Sequence, residues 1–215
     1  MALKFFQVTL NSEGPLLCSN VASSDPLGEG AKQKAFFHTK KKKNDEDHRA
    51  LRTLDWLFSG YWDKIGKIFV DESENTVEFE GFADPLLPGA NFQRCLRNAA
   101  TKWKLGKDVL RSVVVTNDPL IEYDGPKDAI DMYYPEKPGW NFQLAAFTSR
   151  GVWVNRLKFP NWKVTYDLTV DDEILSIQQL KRIIAMAGKA EGLGTWRPRH
   201  GRFSASDLKE VAFDA

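Results

Sequence analysis

The sequence predicts an α+β fold, in which helices lie beside a mainly antiparallel sheet. In some segments apolar and polar residues alternate, as in half-buried strands. In others apolar residues recur every three or four positions, as in helices. Two strand candidates, residues 141–148 and 152–157, lie close enough along the chain to pair as a hairpin across Ser149, Arg150 and Gly151. This mixed order favours α+β over a doubly wound parallel sheet.

The first predicted element is a strand over residues 3–10, in which Phe6, Val8 and Leu10 share one face. Gly14 and Pro15 then break the alternating pattern.

Residues 16–44 follow as a basic, flexible insertion, because turn-forming residues precede six lysines between positions 32 and 43. The four consecutive lysines 40–43 repel one another, which predicts a mobile, extended chain that could lie along a nucleic-acid backbone. Phe36 and Phe37 favour the alternative of an ordered anchor or a partner contact.

The middle of the chain predicts two helices and several short strands. Asn44 is a good N-cap for a helix over residues 45–58, and residues 91–105 form a second amphipathic helix. Strands are predicted at residues 65–70, 76–82 and 111–116. Residues 117–140 are rich in Pro, Gly, Asp and Tyr, which predicts a loop insertion.

The clearest strand covers residues 162–170, where apolar and polar residues alternate without a break. The clearest helix covers residues 176–187: Ser176 and Gln179 match a capping box, and Gly188 is placed to end it. A glycine-rich loop and a short strand at Phe203 follow. A chain of 215 residues with this content predicts a single domain over residues 1–215.

Composition excludes several classes of protein. The 26 aromatic residues (14 Phe, 7 Trp and 5 Tyr) are enough for a core, which excludes general disorder, and no apolar run approaches the length of a membrane span. Cys18 and Cys95 form neither a disulfide framework nor a metal-binding spacing. No secretory signal is apparent, so we expect a cytoplasmic protein without membrane, metal or cofactor.

A net charge of +1 hides two basic windows. Residues 91–107 contain five basic residues and no acidic one, and residues 177–202 contain six basic residues with only Glu191 against them. Such windows present a local positive face on a nearly neutral protein. The alternative is two ordinary solvated helix faces. If the first window faces a shared groove, it would add Arg94, Arg97 and Lys104 to a binding site.

The most informative motif is the loop at residues 187–203. Glycine lets backbone amides approach a phosphate, guanidinium groups donate to it, and an indole stacks on a base. The residues expected to contact nucleic acid here are Lys189, Gly192, Gly194, Trp196, Arg197, Arg199 and Arg202, joined by Arg156. The alternative is a helix cap and tight turn, with Trp196 buried and the arginines solvated. The loop lacks both the Walker ending and the Rossmann order.

This loop resembles one found in the RAMP superfamily, the ferredoxin-like RNA-binding proteins of CRISPR effector complexes. In those proteins a glycine-rich loop follows the last helix and leads into the closing strand, as residues 188–201 do here between residues 176–187 and Phe203. Residues 14–17 and 87–91 also resemble RAMP positions. The resemblance implies a ferredoxin-like, RRM-like core with an antiparallel sheet, helices on one face and insertions. It also implies RNA binding and self-assembly along the strand.

Residues 150–203 also resemble a group of phage and prophage proteins. The shared features are an Arg-x-x-Phe-Pro-x-Trp stretch, here Arg156 to Trp162, and a Gly-x-Gly-x-x-Arg-Pro loop that begins at Gly192. A phage protein suggests a second class of function, an inhibitor that binds a host defence protein. The acidic residues 71–74 could then mimic phosphate for a basic partner.

The histidines suggest a third class. His38 could act as the general base of a metal-independent endoribonuclease, as the resemblance to RAMP endonucleases implies, with His48 as a second candidate. The alternative for both is an ordinary surface residue. We therefore expect RNA or single-stranded DNA binding without catalysis, with the inhibitor and the endoribonuclease as alternatives.

Overall fold

The computed structural model describes residues 3–21, 25–147, 151 and 153–212. The chain divides into two compact units. Unit 1 comprises Met1–Leu17, Leu86–Asp124 and Pro160–Ala215, and unit 2 comprises Cys18–Pro85 and Gly125–Phe159. Helices and antiparallel sheets occur together, which confirms the α+β class. The single domain that the sequence predicts stays a prediction.

The strands and helices follow one another along the chain as β1 (Leu3–Ser12), β2 (Leu16–Leu17), α1 (Glu29–Thr39), α2 (Asp45–Leu57), β3 (Trp62–Lys64), β4 (Lys67–Asp71), β5 (Thr76–Glu80), β6 (Ala83–Pro85), α3 (Gly89–Ala100), α4 (Gly106–Ser112), β7 (Val113–Val115), α5 (Ala129–Tyr133), β8 (Gln143–Phe147), β9 (Trp153–Phe159), β10 (Lys163–Asp171), α6 (Ile177–Met186), β11 (Phe203–Ala205) and β12 (Lys209–Glu210). A 3₁₀ turn, Thr101–Trp103, follows α3, and a π-helix, Ala187–Glu191, follows α6.

Unit 1 contains a five-stranded antiparallel sheet. Its strand order is β11–β1–β10–β7, and β12 also pairs with β1. β1 pairs with β10 from Leu3 opposite Asp171 to Asn11 opposite Lys163, so the first and the clearest predicted strands form its centre. Along the chain, α3 lies between β1 and β7, and α6 lies between β10 and β11.

One face of this sheet forms the core of unit 1. Phe6, Val8 and Leu10 are buried together, as their alternation predicts. Across the core, the ring of Phe92 on α3 stacks on Tyr166 at 4.8 Å between centroids. The Phe92 ring also meets Phe203 edge-on at 6.1 Å. The closing strand is thus held to α3 by aromatic packing.

Unit 2 is built around the buried indole of Trp56 on α2. Its ring packs on Trp62 at 5.8 Å and on Tyr133 at 5.0 Å, and its Nε1 donates to the Phe142 carbonyl at 2.8 Å. The hairpins β4–β5 and β8–β9 are both antiparallel, and β3 pairs with β6. The hairpin predicted at residues 141–157 is confirmed, but its turn at Ser149 and Arg150 lies outside the described residues.

The basic insertion predicted as flexible at residues 16–44 contains helix α1. Phe37 is fully buried against Ala50 and Leu54 of α2, and this apolar contact orders the segment. Lys34 is also buried and pairs with Asp55 at 2.7 Å. Phe37 and Lys34, which the sequence alone assigned to a mobile arm, are therefore packed into the fold. The ordered-anchor alternative fits the structure better here.

Several element boundaries differ from those that the sequence predicts. Gly188 does not end α6: the helix continues as the π-helix, and Gly192, with φ of +74°, ends it. The strand predicted at residues 111–116 is reduced to β7 because α4 occupies the residues before it. Within the predicted loop insertion at residues 117–140, the short helix α5 is capped by the Asp128 side chain.

Acid should destabilise unit 2 through Asp47. A hydrogen bond from the Lys40 ammonium, and then one from the Asn44 amide, hold the pKa of the Asp47 carboxyl below its usual value. Such a group stabilises the fold above its unfolded pKa of about 3.9, and this contribution is lost as the pH falls through the folded value. We expect Asp47→Asn to flatten the loss of unfolding free energy below about pH 4.

Urea denaturation across this pH range measures the effect, with Glu46→Gln as the exposed control on the same helix turn. An unchanged pH profile in Asp47→Asn would contradict the assignment.

Candidate nucleic-acid interface

The glycine-rich loop is fixed at its base by backbone hydrogen bonds within unit 1. The Leu193 amide donates to the Gly201 carbonyl at 2.8 Å, the Gly201 amide to Pro15 at 2.8 Å, and the Thr195 amide to Leu17 at 2.9 Å. The loop between α6 and β11 is therefore held against the segment that follows β1.

The glycines serve this internal packing. A Cβ at Gly201 would lie 1.9 Å from the Leu193 carbonyl oxygen, and one at Gly194 would lie 2.2 Å from that of Leu17. Both residues also have φ above +70°, where glycine is favoured. The Gly192 amide donates to Ala187 at 2.8 Å and so cannot also donate to a phosphate. The phosphate-approach role that the sequence suggests for Gly192 therefore gives way to a structural one.

The side chains of the loop are more open. Trp196 is 38% exposed, which differs from the buried indole of the alternative interpretation, and its ring lies 6.2 Å from the His200 ring. Arg199 and Arg202 are exposed. Arg197 is half-buried, and its Nη1 lies 3.5 Å from the Gly192 carbonyl oxygen.

The arginines of the loop lack carboxylate partners in the part of the chain that the structure describes. Among the described residues, no ion pair within 4.0 Å joins Arg197, Arg199 or Arg202 to an acidic side chain. Lys189, on the π-helix that precedes the loop, is exposed as well. Within the described residues, these cationic side chains are therefore not paired with carboxylates, although Arg197 also donates to the Gly192 carbonyl.

The two basic windows meet in unit 1. Helix α3 packs against α6 and the π-helix, and the thiol of Cys95 on α3 lies 3.2 Å from the Gly192 carbonyl oxygen. Burial raises the pKa of this thiol to about 12. The charges of Arg197 and Arg94 act to lower the pKa, and that of Glu191 acts to raise it. The contact between Cys95 and Gly192 therefore joins one residue of each window.

A cation–π contact joins the windows at a second point. The Arg182 guanidinium lies 5.3 Å from the centre of the Trp103 ring. Sequence reasoning missed this pair, although each residue belongs to one of the two basic windows. Next to it, Lys104 is exposed and has φ of +62°, and Arg97 is exposed on α3. Eight basic residues of the two windows all belong to unit 1, and all are exposed except the half-buried Arg197. Together they are called the unit 1 basic surface below: Arg94, Arg97, Lys104, Arg182, Lys189, Arg197, Arg199 and Arg202.

Three predicted site residues belong to unit 2. Arg156 lies half-buried on β9, so it is not one of the residues that unit 1 groups together. His38 and His48 line one cavity of about 480 Å³ in unit 2. The structure therefore brings the two histidines to one place, which their separation in sequence does not reveal.

Both cysteines are buried. Cys18 is fully buried, which raises the pKa of its thiol to about 12, as burial does for Cys95.

Within the described ranges, no three His, Cys, Asp or Glu side chains form a group that could hold a metal ion. Within the same ranges, no helix has the length and apolar content needed to cross a bilayer.

No protein-family model fits the chain, and no curated protein matches it in sequence.

Proposed function

We propose that this protein binds RNA or single-stranded DNA, without catalysis, through the unit 1 basic surface. The observation that carries the proposal is the packing of α3 against α6 and the π-helix, which brings into contact the elements on which the two basic windows lie. Arginine guanidinium groups donate in pairs to phosphate oxygens, and lysines add charge without reading sequence.

Trp196 gives the surface a preference for single strands. An exposed indole can stack on an unpaired base, whereas paired bases are already stacked on one another. Trp196 is 38% exposed and Arg197 follows it in the chain, so the same loop would supply a stacking face for a base and a donor for a phosphate. RNA and single-stranded DNA share this chemistry.

We also infer that unit 1 is a ferredoxin-like core of the RAMP type. Such a core has two strand–helix–strand halves and an antiparallel sheet in which the fourth strand lies next to the first. The order of β1, α3, β7, β10, α6 and β11 along the chain, with the sheet order β11–β1–β10–β7, supports this inference. So does the position of the glycine-rich loop between α6 and β11.

The other expectations remain predictions. Assembly along the strand and a phage origin follow from the sequence resemblance, and a cytoplasmic setting follows from the cysteine content and the N-terminal sequence. The inhibitor that binds a host protein and the metal-independent endoribonuclease remain the alternatives.

Salt dependence tests the proposal. We expect the affinity for a labelled single-stranded oligonucleotide to fall steeply between about 50 and about 200 mM salt, with a log–log slope near −0.7 per phosphate contact. Four or five contacts from the unit 1 basic surface would give a slope of about −3. Fluorescence anisotropy with RNA, single-stranded DNA and duplex DNA of equal length measures it. A salt-independent affinity, or a preference for the duplex, would contradict the proposal.

A further inference from the structure

Unit 2 contains a cavity that the proposed nucleic-acid contact does not use. It lies beside α2 and the β8–β9 hairpin, next to the end of α1, and its volume of about 480 Å³ falls within the range of small-molecule sites. Asn155 of β9 links α2 to the hairpin beside the cavity. Its Nδ2 donates to the Arg52 carbonyl at 3.4 Å and to Gln143 Oε1 at 2.9 Å. The cavity therefore belongs to an ordered part of the unit.

One side of this cavity is apolar and aromatic. Ala145, Trp153 and Val154 of the β8–β9 hairpin line this side, and Trp153 is 64% exposed. The Trp153 ring leans on Phe147 at 5.5 Å between centroids, with an angle of 57° between the ring planes. An exposed indole held by a neighbouring ring offers a platform for a planar ligand.

The other side carries polar groups on one helix face. His48, Arg52 and Asp55 of α2 follow at intervals of four and three residues, so they lie along one stripe. His38, from the end of α1, also lines the cavity. Asp55 is paired with Lys34 at 2.7 Å, and within the described ranges Arg52 has no ion pair. The charge left for a ligand is therefore the Arg52 guanidinium.

We propose that this cavity binds a nucleoside monophosphate. The base would stack on Trp153, and the phosphate would accept hydrogen bonds from Arg52, since a guanidinium fork matches two phosphate oxygens. His38 and His48 supply further donors beside the phosphate. A cavity lined by an exposed indole from the hairpin and by a guanidinium from α2 matches a ligand with a planar ring at one end and an anion at the other.

Calorimetric titration of the full chain with the four ribonucleoside 5′-monophosphates tests this site. We expect binding, and we expect it to weaken at least about tenfold for the nucleoside without phosphate and for ribose 5-phosphate without a base. Arg52→Gln and Trp153→Leu should each weaken monophosphate binding by a similar factor. Arg49→Gln, which removes an exposed guanidinium from the same helix, should bind as the wild type does.

Arg52→Lys keeps the positive charge but loses the two parallel N–H donors of the guanidinium. Its affinity for the monophosphate should therefore lie between those of Arg52→Gln and the wild type. The proposal is overturned if no monophosphate binds, or if Arg52→Gln and Trp153→Leu bind as tightly as the wild type. It is also overturned if the Arg197→Ala, Arg199→Ala double variant loses monophosphate binding, because the site would then lie in unit 1. Circular dichroism of each variant identifies a loss that comes from unfolding.

Discussion

Replacing Arg197 and Arg199 together with alanine is expected to weaken binding to a single-stranded oligonucleotide by between tenfold and a hundredfold. Charge-assisted hydrogen bonds to phosphate contribute about 1.5 to 3 kcal/mol each, and screening at an exposed surface reduces that value. The salt slope should become shallower by about 1.4, because two phosphate contacts are lost. Anisotropy titrations at several salt concentrations measure both quantities on the same protein.

A matched control distinguishes the effect of the loop arginines from the effect of a lower net charge. Lys41→Ala with Lys42→Ala removes two exposed positive charges from unit 2 instead, so it changes the net charge by the same amount. If this control weakens binding as much as the arginine variant does, the loop is not the site. The control also tests the basic arm that the sequence predicts around residues 32–43.

The single variant Arg199→Ala distinguishes a lost phosphate contact from a loosened loop. Arg197 lies within 3.5 Å of the Gly192 carbonyl oxygen, so its removal could loosen the loop. Arg199 is exposed. A measurable loss of affinity in Arg199→Ala, with an unchanged melting temperature, would therefore come from the missing phosphate contact.

The parts of the fold that the sequence predicts are those set by local interactions. The Ser176–Gln179 capping box and the Asn44 cap both form, because their hydrogen bonds join residues three positions apart. The alternation in β1 and β10 likewise identifies the buried face of the sheet. Such features can be predicted from the apolar periodicity of an element and from the residues at its ends.

The parts that sequence reasoning missed depend on distant contacts. Helix α1 forms where Phe37 is buried against α2, and no window around six lysines predicts that partner. The Arg182–Trp103 contact joins residues almost eighty positions apart. Helical spacing places His48 and Arg52 on one stripe, but nothing local predicts that His38 and Trp153 line the same cavity.

The loop shows why a correct motif can be interpreted in two ways. Its glycines are required, yet the oxygen atoms they approach belong to the chain itself, at Leu17 and Leu193. Sequence alone does not distinguish a glycine that admits a phosphate from one that admits a carbonyl. The candidate site therefore depends on the side chains between the glycines, and the glycines hold those side chains in place.

Gly188→Ala should strongly destabilise unit 1. A Cβ at Gly188 would lie 2.0 Å from the Phe203 carbonyl oxygen and 2.9 Å from its ring. Phe203 is 1% exposed and packs on Phe92 and Trp162, so it has little room to move. Overpacking of this kind costs typically 1–3 kcal/mol, and contact with a backbone atom places the expected loss near the upper end, at about 3 kcal/mol.

Gly14→Ala is the matched control, because no atom outside its chain neighbours lies within 4 Å of the added Cβ. It should leave the free energy of unfolding within about 1 kcal/mol of the wild-type value. Urea denaturation of both variants measures the difference. Equal stability would mean that the π-helix can move away from β11. In that case the packing of α3 against the π-helix would not fix the position of Arg197 relative to Arg94, and the geometric basis of the unit 1 basic surface would be lost.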